Sequence, residues 1–299
     1  MKNLIEYYYG LININIINKN NIVEFEYNNN TYIFKEIYRK IEEIKEIYEL
    51  LYNNNKYNQI ILTKNNFPLV IYNNKQYILT QERNYKEENI TISDILYKNN
   101  IKYYEKYKMI SREKWFDLWI RKIDYIYYQR KHINKKYKIL DQYLDYYIGL
   151  SENAISYYNN INKNEKDKRD IPTISHRRIY NLKKRDYYDI NNIVLDHYTR
   201  DICEYIKYKF FYENIINEEL ENILDSINLS KYGWQLFYCR MVFPTYFLDM
   251  YEKIVNDKTP ENNIILITKK TKKYELFLKK IYKIINKKTS IPSINWISS

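Results

Sequence analysis

The spacing of apolar residues changes near residue 86, and this change constrains the fold more than any other feature. Before it, residues 22–27 alternate between apolar and polar, and a turn at 28–30 followed by residues 32–35 predicts a hairpin. Residues 59–62, 68–72 and 76–80 predict further strands, with a turn at 72–75 between the last two, and residues 37–51 predict one helix. After it, three- and four-residue spacings predict helices over residues 115–130, 140–158, 199–216, 234–254 and 274–285. Pro244 is expected to kink or split the helix over residues 234–254. The sequence therefore predicts an α+β fold with a small strand-rich lobe (residues 1–85) and a large helical lobe (residues 86–299).

The composition is dominated by Asn, Ile, Lys and Tyr, with 38 Tyr against 3 Gly and a net charge of +12. All four residues have A/T-rich codons, so genome bias is favoured over selection for a cationic surface. A positive potential attracts nucleic acids and other anions. However, the basic residues are interleaved with 37 acidic ones along the whole chain, whereas nucleic-acid-binding proteins more often concentrate charge on one element.

Three further features concern the cellular setting. Cys203 and Cys239 lie on apolar segments far apart in the chain, which predicts buried thiols and a reduced intracellular environment. Residues 1–21 contain Glu6 and several asparagines, so no signal peptide is expected. No apolar run approaches the ~18 residues expected of a membrane span.

The segment over residues 174–210 carries most of the potential chemistry. It contains His176 in a loop, a short apolar strand that ends at Asp196, and a helix that opens near Asp201. A histidine-led loop, a strand ending in aspartate and an aspartate at a helix start form the layout of a kinase-like catalytic segment. The layout predicts a fold related to phosphoryl transfer. His197, next to Asp196, is expected to satisfy a buried polar contact.

A more specific resemblance rests on four strings: YYIGLSENAI at residues 146–155, SHRR at 175–178, LDHYTRDICEYI at 195–206 and WQLFYCRMVFP at 234–244. They resemble the spore-coat-associated proteins of the YutH type, in the CotS-like branch of the aminoglycoside phosphotransferase and choline kinase fold. The resemblance covers residues 100–290 and is faint over the first lobe. It implies a two-lobed protein-kinase-like fold, other spore coat proteins as partners, and passage from the mother-cell cytoplasm to the spore coat.

The catalytic loop of the resembled superfamily has the pattern H-G-D-x-x-x-x-N. Here His176 matches the histidine, but Arg177 and Arg178 stand in place of the glycine and the catalytic aspartate. Lys183 stands in place of the metal-binding asparagine. An arginine cannot accept a proton at neutral pH, and Mg²⁺ is bound by oxygen atoms. The resemblance therefore implies a loop that has lost two catalytic functions.

The resemblance also assigns roles to two aspartates. Asp196 matches the second metal-binding aspartate, because it ends an apolar strand. Asp201 matches the aspartate that tethers the backbone of the catalytic loop, and we expect it to accept hydrogen bonds from around His176. Since the tether is structural, it can persist where catalysis is lost.

On the first lobe, Lys35 resembles the phosphate-binding lysine, and Glu46 or Glu43 on the next helix is its expected partner. The glycine loop that cradles phosphates is missing, because Gly10, Gly149 and Gly233 form no G-x-G-x-x-G pattern. ATP and magnesium binding therefore stay open.

Together these features predict a pseudokinase, a catalytically degenerate kinase-like protein that serves a structural or assembly role in the bacterial endospore coat. Two alternatives remain open. One is a small-molecule phosphotransferase with a rearranged site. The other is a cationic protein that binds anions or nucleic acid, which steep salt dependence would reveal.

Overall fold

The chain forms two compact units in a computed structural model that describes residues 1–19, 22–83, 85, 88–97, 101, 103–112, 114–133 and 136–298. The first unit comprises residues 1–91, 101–111 and 176–195. The second unit comprises residues 92–100, 112–175 and 196–299. Residues 176–195, here called the His176 loop, thus pack with the strand-rich unit, whereas the sequence placed them among helices.

The described residues include two sets of regular elements. The strands are β1 Ile16–Lys19, β2 Ile22–Tyr27, β3 Asn30–Glu36, β4 Gln59–Ile61, β5 Val70–Tyr72, β6 Lys75–Gln81, β7 Thr173–His176 and β8 Ile193–Asp196. The helices are α1 Lys2–Tyr9, α2 Ile41–Leu51, α3 Ile92–Leu96, α4 Trp115–Ile133, α5 Lys138–Asn159, α6 Lys184–Tyr187, α7 Thr199–Tyr212, α8 Asn217–Ser226, α9 Lys231–Val242, α10 Thr245–Val255, α11 Ile265–Thr268, α12 Thr271–Lys288 and α13 Asn295–Ser298.

The first unit is built on an antiparallel sheet with the order β1-β2-β3-β6-β4, and β5 also pairs with β6. Two-residue asparagine turns join β2 to β3 and β5 to β6. Asn28, Asn29, Asn73 and Asn74 all have positive φ, between 48° and 61°, as such hairpin turns require. The two predicted hairpins are therefore confirmed.

Helix α1 was not predicted, because residues 1–85 were expected to form strands and turns around one helix. It ends at Gly10, whose φ of 74° lies in the left-handed region and whose N–H bonds to the carbonyl of Glu6 at 3.0 Å. Ile5 is fully buried in one core cluster with the sheet residues Val23, Phe25, Phe34, Tyr77 and Leu79. An eight-residue stretch rich in tyrosine has little helical periodicity, so packing on the sheet decides its structure.

The second unit is organised around α9, in which every residue from Tyr232 to Val242 is buried. This helix packs against α5, α7 and α12, as expected of a helix that is buried on all sides. The predicted helix over residues 234–254 is divided at Pro244, which lies between the end of α9 and the start of α10. The predicted break at this proline is confirmed, because proline cannot donate the backbone hydrogen bond that a continuous helix needs.

The other predicted helices are confirmed with shifted ends. The helix expected over residues 37–51 begins at Ile41, and the one expected over 199–216 ends at Tyr212. Helix α8 was not predicted. Among the described residues, no helix combines the length and the apolar character needed to cross a lipid bilayer.

Candidate functional site

In the first unit, a buried arginine on the approach to α2 holds the His176 loop. Arg39 is 3% exposed, and its Nη2 donates to the carbonyls of Asn191 and Ile193 at 2.9 and 2.5 Å. Its Nη1 pairs with Glu43 at 3.2 Å. Glu43 also accepts a hydrogen bond from Nη2 of Arg177 at 3.3 Å. The start and the end of the loop therefore both contact the neighbouring residues Arg39 and Glu43 of the first unit.

Lys35 and Glu46, the residues expected to contact a nucleotide, have other partners within the first unit. The Nζ atom of Lys35, on β3, pairs with the carboxylate of Asp189 in the His176 loop. Glu46, on α2, accepts hydrogen bonds from the backbone N–H groups of Met109 and Ile110 at 3.0 Å. The structure therefore does not pair Lys35 with Glu46. A role for either residue in binding a nucleotide stays a prediction.

His176 is 1% exposed and lies among aromatic rings of the first unit. Its imidazole stacks on Tyr57, with the ring planes 14° apart, and lies 3.7 Å from the ring centroid of Tyr187. Buried aromatic contacts of this kind stabilise packing. The conformation of His176 is therefore fixed by its neighbours.

The backbone of Arg178 is fixed by a reciprocal pair of hydrogen bonds with Asn192. The N–H of Arg178 donates to Oδ1 of Asn192 at 3.1 Å, and Nδ2 of Asn192 donates to the carbonyl of Arg178 at 2.8 Å. The Lys183 N–H donates to Oδ1 of Asn181 at 2.9 Å. Arg178 and Lys183 thus occupy positions with defined backbone geometry.

In the second unit, both carboxylate oxygens of Asp196 already accept hydrogen bonds from the chain. Oδ1 accepts from Nη2 of Arg240 at 2.8 Å and from the N–H of His197 at 2.6 Å. Oδ2 accepts from Nη1 of Arg200 at 2.7 Å. The guanidinium group of Arg240 also lies 4.1 Å from the ring centroid of Trp115. Asp196 therefore belongs to a packed ionic cluster.

The ionisation of Asp196 follows from this cluster. Burial alone would raise the pKa of the carboxyl group, because it penalises the charged form. The positive charges of Arg240 and Arg200, together with the hydrogen bonds, outweigh burial and hold the pKa below its usual range. The residue is thus a carboxylate whose charge is balanced by arginine.

Kinase-like folds use magnesium, so the fit of Mg²⁺ to Asp196 can be tested on this geometry. Mg²⁺ requires oxygen ligands at about 2.0–2.1 Å in a near-octahedral arrangement. Here two guanidinium groups lie at the carboxylate oxygens that the metal would approach, and like charges at such distances repel strongly. No group of three or more His, Cys, Asp or Glu residues suited to a metal is found in the described part of the chain. The residues around Asp196 therefore do not fit a magnesium site.

His197 forms the expected buried polar contact, although its main partner is Asp170 and not Asp196. Its Nε2 lies 3.0 Å from Oδ1 of Asp170. Its Nδ1 accepts the backbone N–H of Thr199 at 3.2 Å, which assigns the proton of the neutral ring to Nε2. Asp170 also accepts from the hydroxyl of Ser230 at 2.7 Å. No sequence signal predicted this pair, because its members are 27 positions apart.

Asp170, His197 and Thr199 are hydrogen-bonded in the same succession as the acid, the base and the hydroxyl group of a hydrolytic triad. The Thr199 hydroxyl lies 2.9 Å from Nδ1 of His197, but Thr199 is 0% exposed. A hydroxyl buried in this way cannot reach a substrate, so the network fixes the start of α7. Burial lowers the pKa of His197 and outweighs the opposing effect of Asp170.

Asp201 is buried in the second unit, at 4% exposure. Its expected hydrogen bonds to the surroundings of His176 stay a prediction. Cys203 and Cys239 are both buried and free, which confirms the prediction of buried thiols. Burial raises the pKa of Cys203 to about 12, so this thiol is not an activated nucleophile.

Solved phosphotransferases share the fold of this protein and superpose on nearly the whole chain. An aminoglycoside phosphotransferase from Alicyclobacillus acidocaldarius subsp. acidocaldarius DSM 446 is similar with a TM-score of 0.67 and 10% identity, covering 95% of this chain and 96% of that one. A spectinomycin phosphotransferase, solved with ADP and spectinomycin, has a TM-score of 0.56 and 13% identity over 99% of this chain and 96% of that one. The chain thus has the kinase-like fold of the aminoglycoside phosphotransferases, as predicted.

The sequence comparison is more specific. The chain belongs to the family described as spore coat putative kinase YutH, whose model matches residues 2–281. The endospore coat-associated protein YutH of Bacillus subtilis (strain 168) is 26% identical over 214 residues, or 62% of this chain and 61% of that protein. The alignment therefore spans less than two thirds of this relative. The family resemblance expected from the sequence is confirmed, and the family match includes the first lobe.

Proposed function

We propose that this chain is a catalytically degenerate kinase-like protein that works in the assembly of the bacterial endospore coat, through contacts with other coat proteins. Membership of a spore coat family and similarity to a coat-associated protein support the role in the coat. The proposal includes synthesis in the mother-cell cytoplasm followed by transfer to the coat.

The observation that best supports the proposed loss of catalysis is the ion cluster of Asp196. Phosphoryl transfer in this fold needs a carboxylate that holds the metal bound to the phosphates. The carboxylate at that position accepts from Arg200 and Arg240 at 2.7 and 2.8 Å. Two side chains of the protein thus supply the positive charge that a metal ion supplies in an active enzyme.

The loop around His176 supports the same proposal. Arg178 carries no group that accepts a proton from an alcohol, and Lys183 carries no oxygen ligand for a metal. The guanidinium group of Arg177 pairs with Glu43. Restoring catalysis would thus require several changes, at both the loop and the ion cluster.

Nucleotide binding provides the first test. Thermal unfolding and calorimetric titration are measured with ATP and ADP, each with Mg²⁺ and with EDTA, beside an active aminoglycoside phosphotransferase as positive control. We expect no magnesium-dependent rise in the unfolding temperature of this chain. A magnesium-dependent rise together with phosphate transfer to an alcohol would overturn the proposal.

The assembly role is tested in spores. A strain that lacks this protein is complemented with the native gene or with Lys35→Gln, which removes the charge predicted to bind phosphate and keeps a hydrogen-bond donor for Asp189. If assembly needs no phosphoryl transfer, both genes restore the same set of extractable coat proteins. Failure of a stably folded Lys35→Gln protein would contradict a role without catalysis.

A further inference from the structure

The last long helix of the second unit, α12, has two chemically different faces. One face is buried, with Tyr274, Leu278, Ile281 and Ile285 at 0–1% exposure. The opposite face carries Lys273, Leu276, Lys280, Lys283 and Lys287, here called the lysine row. These positions are separated by three, four, three and four residues, so their side chains form one line along the helix.

Most of the lysine row is solvent-exposed, and all of its charged residues are cations. Lys273, Lys283 and Lys287 are exposed and have no ion-pair partner among the residues that the structure describes. Lys280 pairs with Glu221 at 2.8 Å. The one acidic residue of α12, Glu275, accepts a hydrogen bond from Tyr146 at 2.6 Å. Three of the four lysines in the row are therefore uncompensated, along a cationic line about 21 Å long.

Leu276 interrupts this line, and its exposure restricts the kind of partner. It is 68% exposed between the cations of the row. A phosphate backbone offers no apolar surface to an exposed leucine. A single leucine also gives too little apolar area for a helix to lie in a membrane interface, which needs a broad apolar face. A protein segment can offer both carboxylates and an apolar side chain.

We propose that the lysine row is the docking surface for an acidic helical segment of another protein. Its glutamates or aspartates recur at three- and four-residue intervals and face the lysines, and an apolar residue contacts Leu276. The choice of a protein partner rests on the proposed assembly role. The nucleotide test involves no variant of α12. A failure of the docking proposal can therefore be distinguished from a failure of the proposed function.

The test measures fluorescence anisotropy of a labelled helical peptide of roughly 15 residues, long enough to span the row. The peptide carries glutamates around one central leucine, spaced as in the row. Lys273→Glu, Lys283→Glu and Lys287→Glu are combined in one variant. The control combines Lys163→Glu, Lys168→Glu and Lys258→Glu, which are exposed in the same unit and change the net charge equally. Circular dichroism verifies that both variants are folded, and Lys→Gln versions of the row provide a milder change.

We expect the row variant to weaken binding roughly tenfold or more, because like charges placed opposite each other are strongly unfavourable. The control should change binding by about twofold, through the long-range field alone. Leu276→Ser should weaken binding of the peptide without affecting a single-stranded oligothymidylate. Absence of peptide binding at low salt would overturn the proposal. Equal displacement by oligothymidylate or by phosphatidylglycerol vesicles, with no effect of Leu276→Ser, would also overturn it, in favour of a general polyanion surface.

Discussion

At the scale of single residues, Asp196 and His197 are neighbours in sequence with different electrostatic roles. Asp196 is a carboxylate stabilised by two arginines, whereas the His197 ring is kept neutral by burial. Each side chain has its hydrogen-bonding partners within the second unit. Their contributions to stability therefore respond differently to substitution and to pH.

The variant Asp196→Asn should be strongly destabilised, because it leaves Arg240 buried without its counter-charge. Removing one partner of a buried ion pair costs about 3–5 kcal/mol. Urea unfolding should show a loss of this size that is equal in Mg²⁺ and in EDTA. Asp145→Asn serves as control, since that side chain is 75% exposed. A magnesium-dependent stability that disappears in Asp196→Asn would contradict this expectation.

The pH dependence of stability should include a contribution from His197. The folded-state pKa is lowered, so the unfolded state takes up a proton first as the pH falls. Stability is then complete above the unfolded pKa of about 6.5 and declines below it. The slope of the unfolding free energy between pH 7 and pH 5 should flatten in His197→Gln. Equal slopes in the native protein and in His197→Gln would refute the assignment.

These residue pairs also show what the sequence could not provide. The substitutions Arg177, Arg178 and Lys183 were recognisable because the loop pattern has fixed spacing. The partners Asp170, Asp189 and Arg240 were not recognisable. Each of these residues is far in sequence from its partner and reaches it only through tertiary packing. The sequence around each residue therefore gives no indication of the contact.

At the scale of elements, the junction of α9 and α10 depends on a buried lysine from α7. Lys207 is 4% exposed, and its Nζ donates to the carbonyls of Arg240 and Phe243 at 2.5 and 2.9 Å. It also donates to the hydroxyl of Thr245 at 3.2 Å. Carbonyls at the end of a helix need partners from elsewhere. Pro244 could be predicted to break the helix, but not the residue that caps the break.

Replacing Lys207 by methionine should therefore weaken this junction while keeping most of the apolar packing. The carbonyls would lose a charged donor, and such hydrogen bonds contribute about 1.5–3 kcal/mol. We expect a decrease of this size in the free energy of unfolding, measured in urea. Lys209→Met, which removes the ion pairs with Glu213 and Glu219, should cost less than about 1 kcal/mol. A Lys207→Met protein as stable as the native one would show that the cap contributes nothing.

At the scale of the whole molecule, the first unit combines three separate segments of the chain. The periodicity of apolar residues was enough to predict which segments form strands and which form helices. Four short sequence segments were enough to predict the family. The inclusion of the His176 loop in the first unit was not predictable, because it depends on long-range contacts such as those of Arg39 and Lys35. Helix α1 was missed for the same reason, since its packing on the sheet decides its structure.

A fragment of residues 1–91 should accordingly fail to fold cooperatively. It retains the sheet but lacks Asn191 and Ile193, which satisfy Arg39, and Asp189, which balances Lys35. Arg39 would keep Glu43 but lose both carbonyl acceptors, and Lys35 would lose its carboxylate. Hydrogen bonds to charged groups contribute about 1.5–3 kcal/mol each, so these losses are a large part of the stability of a small domain. Near-ultraviolet circular dichroism during heating tests this expectation. A sharp transition in the fragment, at the temperature of the full chain, would contradict it.

The line of cations on α12 also limits how the protein can meet its own copies. Two identical helices placed side by side through this face would oppose lysine to lysine, so this surface discourages homodimers. Any lattice that grows through α12 must alternate this protein with an unlike neighbour. The supply of that neighbour, and not the amount of this chain, would then set how far such a layer extends.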